Sequence, residues 1–248
     1  MSNFRFTRPE AFPPIVKNLI IINVLVAVAQ LIFDDQYGIT DKLTLDPIIS
    51  NNLEAALHHN APDVPIPHFS PYQIFTYMFT HAPLSQSPFH IIFNMLVLWM
   101  FGRVLESVWG AKRFLTFYLI CGIGAAALHL LVQFIRCEYF LLPAVLDINQ
   151  VQFTKHEGAL AGMVGASGAI MGVMAAFAYL FPNTELYIMG AIPVKAKWAV
   201  LGYVALDLFG GFGSIKGDNI AHFAHLGGAI TGFIIVYIWN KTNRRTLY

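Results

Sequence analysis

The chain reads as an all-α membrane protein, a bundle of six transmembrane helices, and three observations predict this. Hydrophobic residues fill 56% of its 248 positions and charged residues only 12%, about half the ~25% charge of a soluble domain. Six apolar stretches approach or reach the ~20 residues that cross a hydrocarbon core as helix. Lysine and arginine then collect on one side of those stretches, as orientation in a bilayer requires.

The first span, 15–33, follows Arg5, Arg8 and Lys17. Its Ala27-Val28-Ala29 resembles a signal-peptide cleavage site, but the apolar run continues past it, so a retained helix is expected. Residues 34–88 form a long, aspartate-rich outer loop. Prolines 62, 65 and 67 exclude helix from its middle. Its aromatic part, 72–79, predicts structure lying at the membrane interface. Spans 89–108 and 114–135 follow, then an outer loop over 137–157. The last three spans are 158–180, 196–212 and 220–239. Asp207 lies within the fifth, where a carboxylate facing lipid is costly, so it is expected to face protein or water.

With the amino terminus inside, eleven lysines and arginines fall on the inner side. Only Lys42, Arg136, Lys155 and Lys216 remain outside. The expected organisation is one membrane domain, 1–248, with a cytoplasmic flank at 1–14 and a cytoplasmic tail at 241–248. A bacterial inner membrane is the expected location. A net charge of +1 supplies no basic field for nucleic acid. Cys121 and Cys137 fall along one helical stretch, roughly 24 Å apart, too far to form a disulfide.

The chemistry gathers in the outer half of the bundle. Ser167 sits in Gly165-Ala166-Ser167-Gly168 within an uncharged run. A G-x-S-G tetrapeptide marks an exposed serine nucleophile in many hydrolases, although small residues are also common at helix contacts in lipid. Treated as helix, the segment puts Ser167 ~13 Å below the outer face and His225 ~8 Å below it. His90 and Asn94 lie near the outer end of the second span, four apart and so on one helical face. Four polar side chains on three helices thus share the outer half of a ~30 Å core.

A serine hydroxyl needs a base within hydrogen-bond reach, and His225 is the candidate. The Ser167 amide, Asn94 and His90 are candidate oxyanion donors. Gly228 and Gly232 share the face of His225 and allow the close helix approach that a serine–histidine bond needs. His222 is an alternative base, or with His225 an H-x-x-H metal pair, although the glutamate of H-E-x-x-H is absent. His129 is expected to bond a neighbouring carbonyl. The loop histidines His58, His59, His68, His81 and His156 read as solvated or structural, and Asp207 as a group that could orient a catalytic side chain.

At these residues the sequence resembles the rhomboid family of intramembrane serine proteases, over about 72–239. The family's H-x-x-x-N pattern falls on His90 to Asn94, its G-x-S-G on Gly165 to Gly168, and its A-H-x-x-G on Ala224 to Gly228. That last pattern selects His225 over His222. Glu106, Trp109-Gly110 and Arg113-Phe114 also look like the family's stretch after the second helix. The resemblance implies a six-helix rhomboid-like bundle and a Ser167–His225 dyad without an acidic third member. It further implies His90 and Asn94 as oxyanion and substrate-positioning residues, no metal or cofactor, and membrane-protein substrates in the lipid bilayer whose transmembrane segments are cut near the outer surface. Met171 stands where many relatives carry an aromatic residue that supports the imidazole, implying a softer sulfur contact. A proteolytically inactive relative that binds membrane helices would be expected to lose Ser167 or His225. A transporter would spread its polar residues through the whole depth.

Overall fold

The computed structural model describes residues 10–84, 87–147, 157–188, 191–213 and 220–242. His156 and the basic residues Arg5, Arg8, Lys155, Lys216, Arg244 and Arg245 lie outside these. The main helices are α1 (Pro14–Tyr37), α2 (Asn51–Asn60), α3 (Pro88–Trp109), α4 (Ala111–Leu146), α5 (Ser167–Leu180), α6 (Ala196–Gly213) and α7 (Ile220–Thr242). Among the described residues, α1, α3, α4 and His222–Thr242 of α7 are long and apolar enough to cross a membrane, while α5 is apolar but shorter. The protein is a multi-pass helical membrane protein.

Helix α1 starts where Pro14 occupies its first turn and stops at Gly38, whose φ of 57° is left-handed. Its 24 residues span ~36 Å, enough for a ~30 Å core. The amides of Ile15 and Val16, orphaned at the helix start, donate to the two carboxylate oxygens of Glu106 at 2.9 and 2.8 Å. Glu106 is buried on α3, so a carboxylate there meets both the free donors and the positive end of the helix dipole. Lipid-facing positions such as Leu25, Leu31 and Ile32 stay exposed, since no water penalises them in a bilayer.

Helices α4, α5 and α7 form the centre, and small residues set their spacing. A Cβ at Gly228 would strike the Gly168 carbonyl oxygen, and one at Gly232 would meet Gly172. Helix α5 also presses on α4, with Gly168 against Ala125 and Gly172 against Cys121. The predicted close approach of the last helix is realised on α5. Backbone-to-backbone contact of this kind replaces the hydrophobic drive that lipid cannot supply between helices.

Two expectations are corrected. Helix was predicted from residue 158, but only a 3-10 turn, Glu157–Leu160, and an irregular stretch precede α5 at Ser167. Helix α4 was predicted to end near 135, yet it continues through a π-turn at Cys137–Leu141 to Leu146. Its C-terminal end packs Cys137, Leu141 and Val145 against Leu53 and Leu57 of α2, so part of the segment between α1 and α3 covers that end of the helix. Residues 72–79 are amphipathic as expected, with Tyr72 and Phe75 exposed and the opposite face buried. Gln73–Thr76 and Tyr77–Phe79 form a helical plug in which Tyr77 and Met78 are fully buried. The Tyr77 hydroxyl donates to the Gly122 carbonyl at 2.7 Å, and Met78 fills the notch at Gly122. Between α5 and α6 runs an antiparallel hairpin, β1 (Glu185–Ile188) and β2 (Ile192–Lys195).

Candidate active site

The site begins with the extended chain that leads into α5. Inside a helical bundle each unpaired backbone group costs several kcal/mol, so this stretch needs partners. Leu45 and Met163 exchange two backbone hydrogen bonds, each of 2.9 Å, and the Gln133 amide donates to the Ala161 carbonyl at 2.9 Å. The Gly165 amide donates to the Tyr77 carbonyl, also at 2.9 Å, so the buried plug fixes the turn before the serine. Gly165 itself has φ +120°, and a Cβ there would sit 3.1 Å from the His90 ring. The positive φ favours glycine, and a Cβ would push the His90 ring away by a few tenths of an ångström.

Ser167 is therefore the first residue of α5 and not a mid-helix residue. Its amide belongs to the first turn, whose N–H groups have no intrahelical partner and lie at the positive end of the dipole. Ala166, at the N-cap, offers no side-chain cap. The Ser167 hydroxyl lies 2.8 Å from His225 Nε2 on α7. On its other edge, His225 Nδ1 is 3.1 Å from both Asp207 oxygens. His222 Nδ1 is 2.8 Å from Asp207 Oδ1. An ionised carboxylate only accepts, so His225 Nδ1 carries the proton. The neutral ring then presents its Nε2 lone pair to the serine hydroxyl, which donates. That is the tautomer a general base requires.

Sequence reasoning left Asp207 as a general orienting group, and the resemblance implied a pair without an acid. In the structure Asp207 stands directly behind His225. It faces protein, with a side chain 11% exposed. His222 does not reach the serine and joins Asp207 instead.

His90 is brought to the same turn. The Ala82 amide donates to its Nδ1 at 3.3 Å, so the neutral ring carries its proton on Nε2, beside Gly165. That N–H is a donor available to an oxygen bound at Ser167. Asn94 is buried, and its amide donates to the His90 carbonyl at 2.9 Å, which leaves it one further N–H.

The support behind His90 was not visible in any motif. Buried Gln30 of α1 clamps the peptide groups of His81: its amide nitrogen donates to the His81 carbonyl at 2.8 Å, and its oxygen accepts from the His81 amide at 3.1 Å. This holds Ala82 against His90. The His81 ring, in the loop before α3, packs edge-on to His90 with centroids 5.3 Å apart. Burial, and then the neighbouring His90, push the His81 pKa down to about 4, against a weaker opposing bond to the Phe79 carbonyl. His81 is thus a neutral structural ring at physiological pH.

The fold and this constellation define a multi-pass membrane protein with a serine, an imidazole and a carboxylate in line between three helices. The Rhomboid domain family model matches residues 68–242, and the chain belongs to the rhomboid family. It is 28% identical to Rhomboid protein 1, mitochondrial, of Saccharomyces cerevisiae, over 62% of this chain and 38% of that protein. It is 32% identical to Presenilin-associated rhomboid-like protein A, mitochondrial, of Danio rerio, over 62% and 36%. It is 30% identical to Rhomboid protease AarA of Providencia stuartii, over 59% and 49%. The aligned regions cover 36% to 56% of the first three curated relatives. These relatives do not support the expected bacterial inner membrane, because the names of the first three say mitochondrial.

Proposed function

We propose that this chain is an intramembrane serine endopeptidase that cleaves transmembrane segments of other membrane proteins. The observation that carries this reading is the 2.8 Å contact between Ser167 and His225 across α5 and α7, with Asp207 behind the imidazole. Ser167 Oγ attacks the scissile carbonyl while His225 Nε2 takes its proton, then returns it to the leaving amine. A water enters, gives its proton to His225 and releases the acyl group. The His90 Nε2–H, the free amides at the start of α5 and the remaining Asn94 N–H are the donors for the oxyanion. The reading keeps a six-span single domain with both termini on the inner face, which puts the Ser167 end of α5 toward the outer face.

A fluorophosphonate probe tests the assignment without knowledge of a natural substrate. Covalent labelling of the intact protein in detergent is expected at Ser167 and nowhere else. A folded wild-type protein that takes up no probe is not a serine hydrolase, and the inactive helix-binding alternative then stands.

The oxyanion donors give a second expected result. His90→Ala should lower kcat by about 10²–10³, the usual cost of one oxyanion donor, with little change in KM. Asn94→Ala should cost less, because half of its amide is already engaged. Steady-state kinetics on a model transmembrane substrate measure both. An unchanged kcat in the His90→Ala, Asn94→Ala double variant removes the pair from this role.

A further inference from the structure

We propose that Asp207, His222 and His225 form a zinc-binding site that switches the Ser167–His225 pair off. The switch rests on the proposed roles of Ser167 and His225, whereas the metal site does not. Cleavage requires one imidazole on Asp207, yet the structure supplies two. His222 and His225 are three apart on α7, so both rings project from one face of the helix. Both aim Nδ1 at the same carboxylate, at 2.8 and 3.1 Å.

The three residues offer donor atoms that all lie within 4.8 Å of one another. Donors around a tetrahedral zinc with bonds of ~2.0–2.1 Å sit about 3.4 Å apart, so small side-chain rotations bring this set onto one ion. Two imidazoles, one carboxylate and a water make a familiar four-coordinate zinc set. The side chains of His222, His225 and Asp207 are 22%, 14% and 11% exposed, so none of the three is sealed in the core.

The consequence for His225 follows from its two nitrogens. Zinc takes the Nδ1 lone pair, so the proton now on Nδ1 moves through water to Nε2. The ring stays neutral and no proton is released. Nε2 now points an N–H at Ser167 Oγ and can no longer accept the serine proton. Metal binding thus converts the base into a donor while leaving the fold in place. Chelators alone should leave the metal-free rate unchanged, and added zinc should abolish it.

The experiment uses tag-free, full-length protein in detergent. Cobalt(II) is titrated as a coloured probe and then displaced by zinc, in wild type and in Ser167→Ala. Both are expected to bind a single equivalent with the intense visible bands of four-coordinate cobalt. His222→Gln keeps a donor to Asp207 but offers zinc no imidazole. It should bind at least about 10–100-fold more weakly, the loss seen even for an outer-shell partner of a metal. Its labelling by fluorophosphonate, relative to its own metal-free rate, should resist zinc to the same degree. His222→Ala serves as a second variant, and melting curves check that each is folded. Absence of stoichiometric binding in the wild type overturns the site, as does unchanged affinity in His222→Gln. Bound zinc with undiminished labelling of Ser167 overturns the switch alone. The binding arm is read without any protease activity, so failure of the proposed function is distinguishable from failure of the metal site.

Discussion

Replacing Ser167 with alanine is expected to lower cleavage of a model transmembrane substrate by about 10⁶, and His225→Ala by a similar factor. Each substitution removes one member of a pair whose members act only together. The hydroxyl is a weak nucleophile without the base, and the base has nothing to activate without the hydroxyl. The double variant should therefore be no worse than either single one, since effects within such a unit are strongly non-additive. Both variants should remain inserted and folded. The positions of α5 and α7 are set by Gly168 and Gly172 against Gly228 and Gly232, not by the polar pair. Reconstituted cleavage assays, with thermal unfolding as control, measure this. A Ser167→Ala protein that still cleaves at an appreciable rate would assign the chemistry to another residue.

Four apolar membrane-spanning helices, the meeting of Ser167, His225 and His90, and the glycine contacts of the last helix were all legible in the sequence. They depend on hydropathy and spacing, which a single chain displays directly. The start of α5 was not legible. Hydropathy reads 158–166 as membrane-embedded but cannot tell helix from an extended strand whose backbone is satisfied by Leu45, Tyr77 and Gln133. Those partners come from three distant segments. The same limit hid what the buried face of 72–79 packs on, because its amphipathic pattern does not reveal that Gly122 faces Met78. Gln30 left no signal at all: one glutamine in an apolar helix has no pattern, and its partners are the His81 backbone and the Thr40 hydroxyl. Asp207 fell between these cases. Its cost in lipid showed that it must face inward, but its partners sit on another helix with no spacing rule to connect them.

That carboxylate carries the second large effect. Asp207→Asn is expected to lower kcat by about 10²–10⁴, with KM little changed, approaching the loss measured when a triad aspartate becomes asparagine. The substitution preserves shape and still offers His225 a hydrogen bond, yet it removes two things. The negative charge that favours the imidazolium formed during attack is gone. The asparagine amide can also donate to Nδ1, which stabilises the tautomer with its proton on Nε2, the wrong nitrogen for a base. Neither change alters how a substrate helix docks, so kcat should carry the loss. Fluorophosphonate labelling, which needs the same activated serine, should slow in step. Asp207→Glu should recover part of the rate, because charge and acceptor character return although the carboxylate is displaced by one methylene. A purely structural aspartate predicts a different outcome. If Asp207 only ties α6 to α7 through His222 and His225, the isosteric asparagine keeps that tie, kcat stays near wild type, and Asp207→Ala lowers the melting temperature instead. A near-normal kcat in a folded Asp207→Asn protein would reduce the constellation to Ser167 and His225 alone, with the packing of α7 on α5 left as the sole means of holding the imidazole in register.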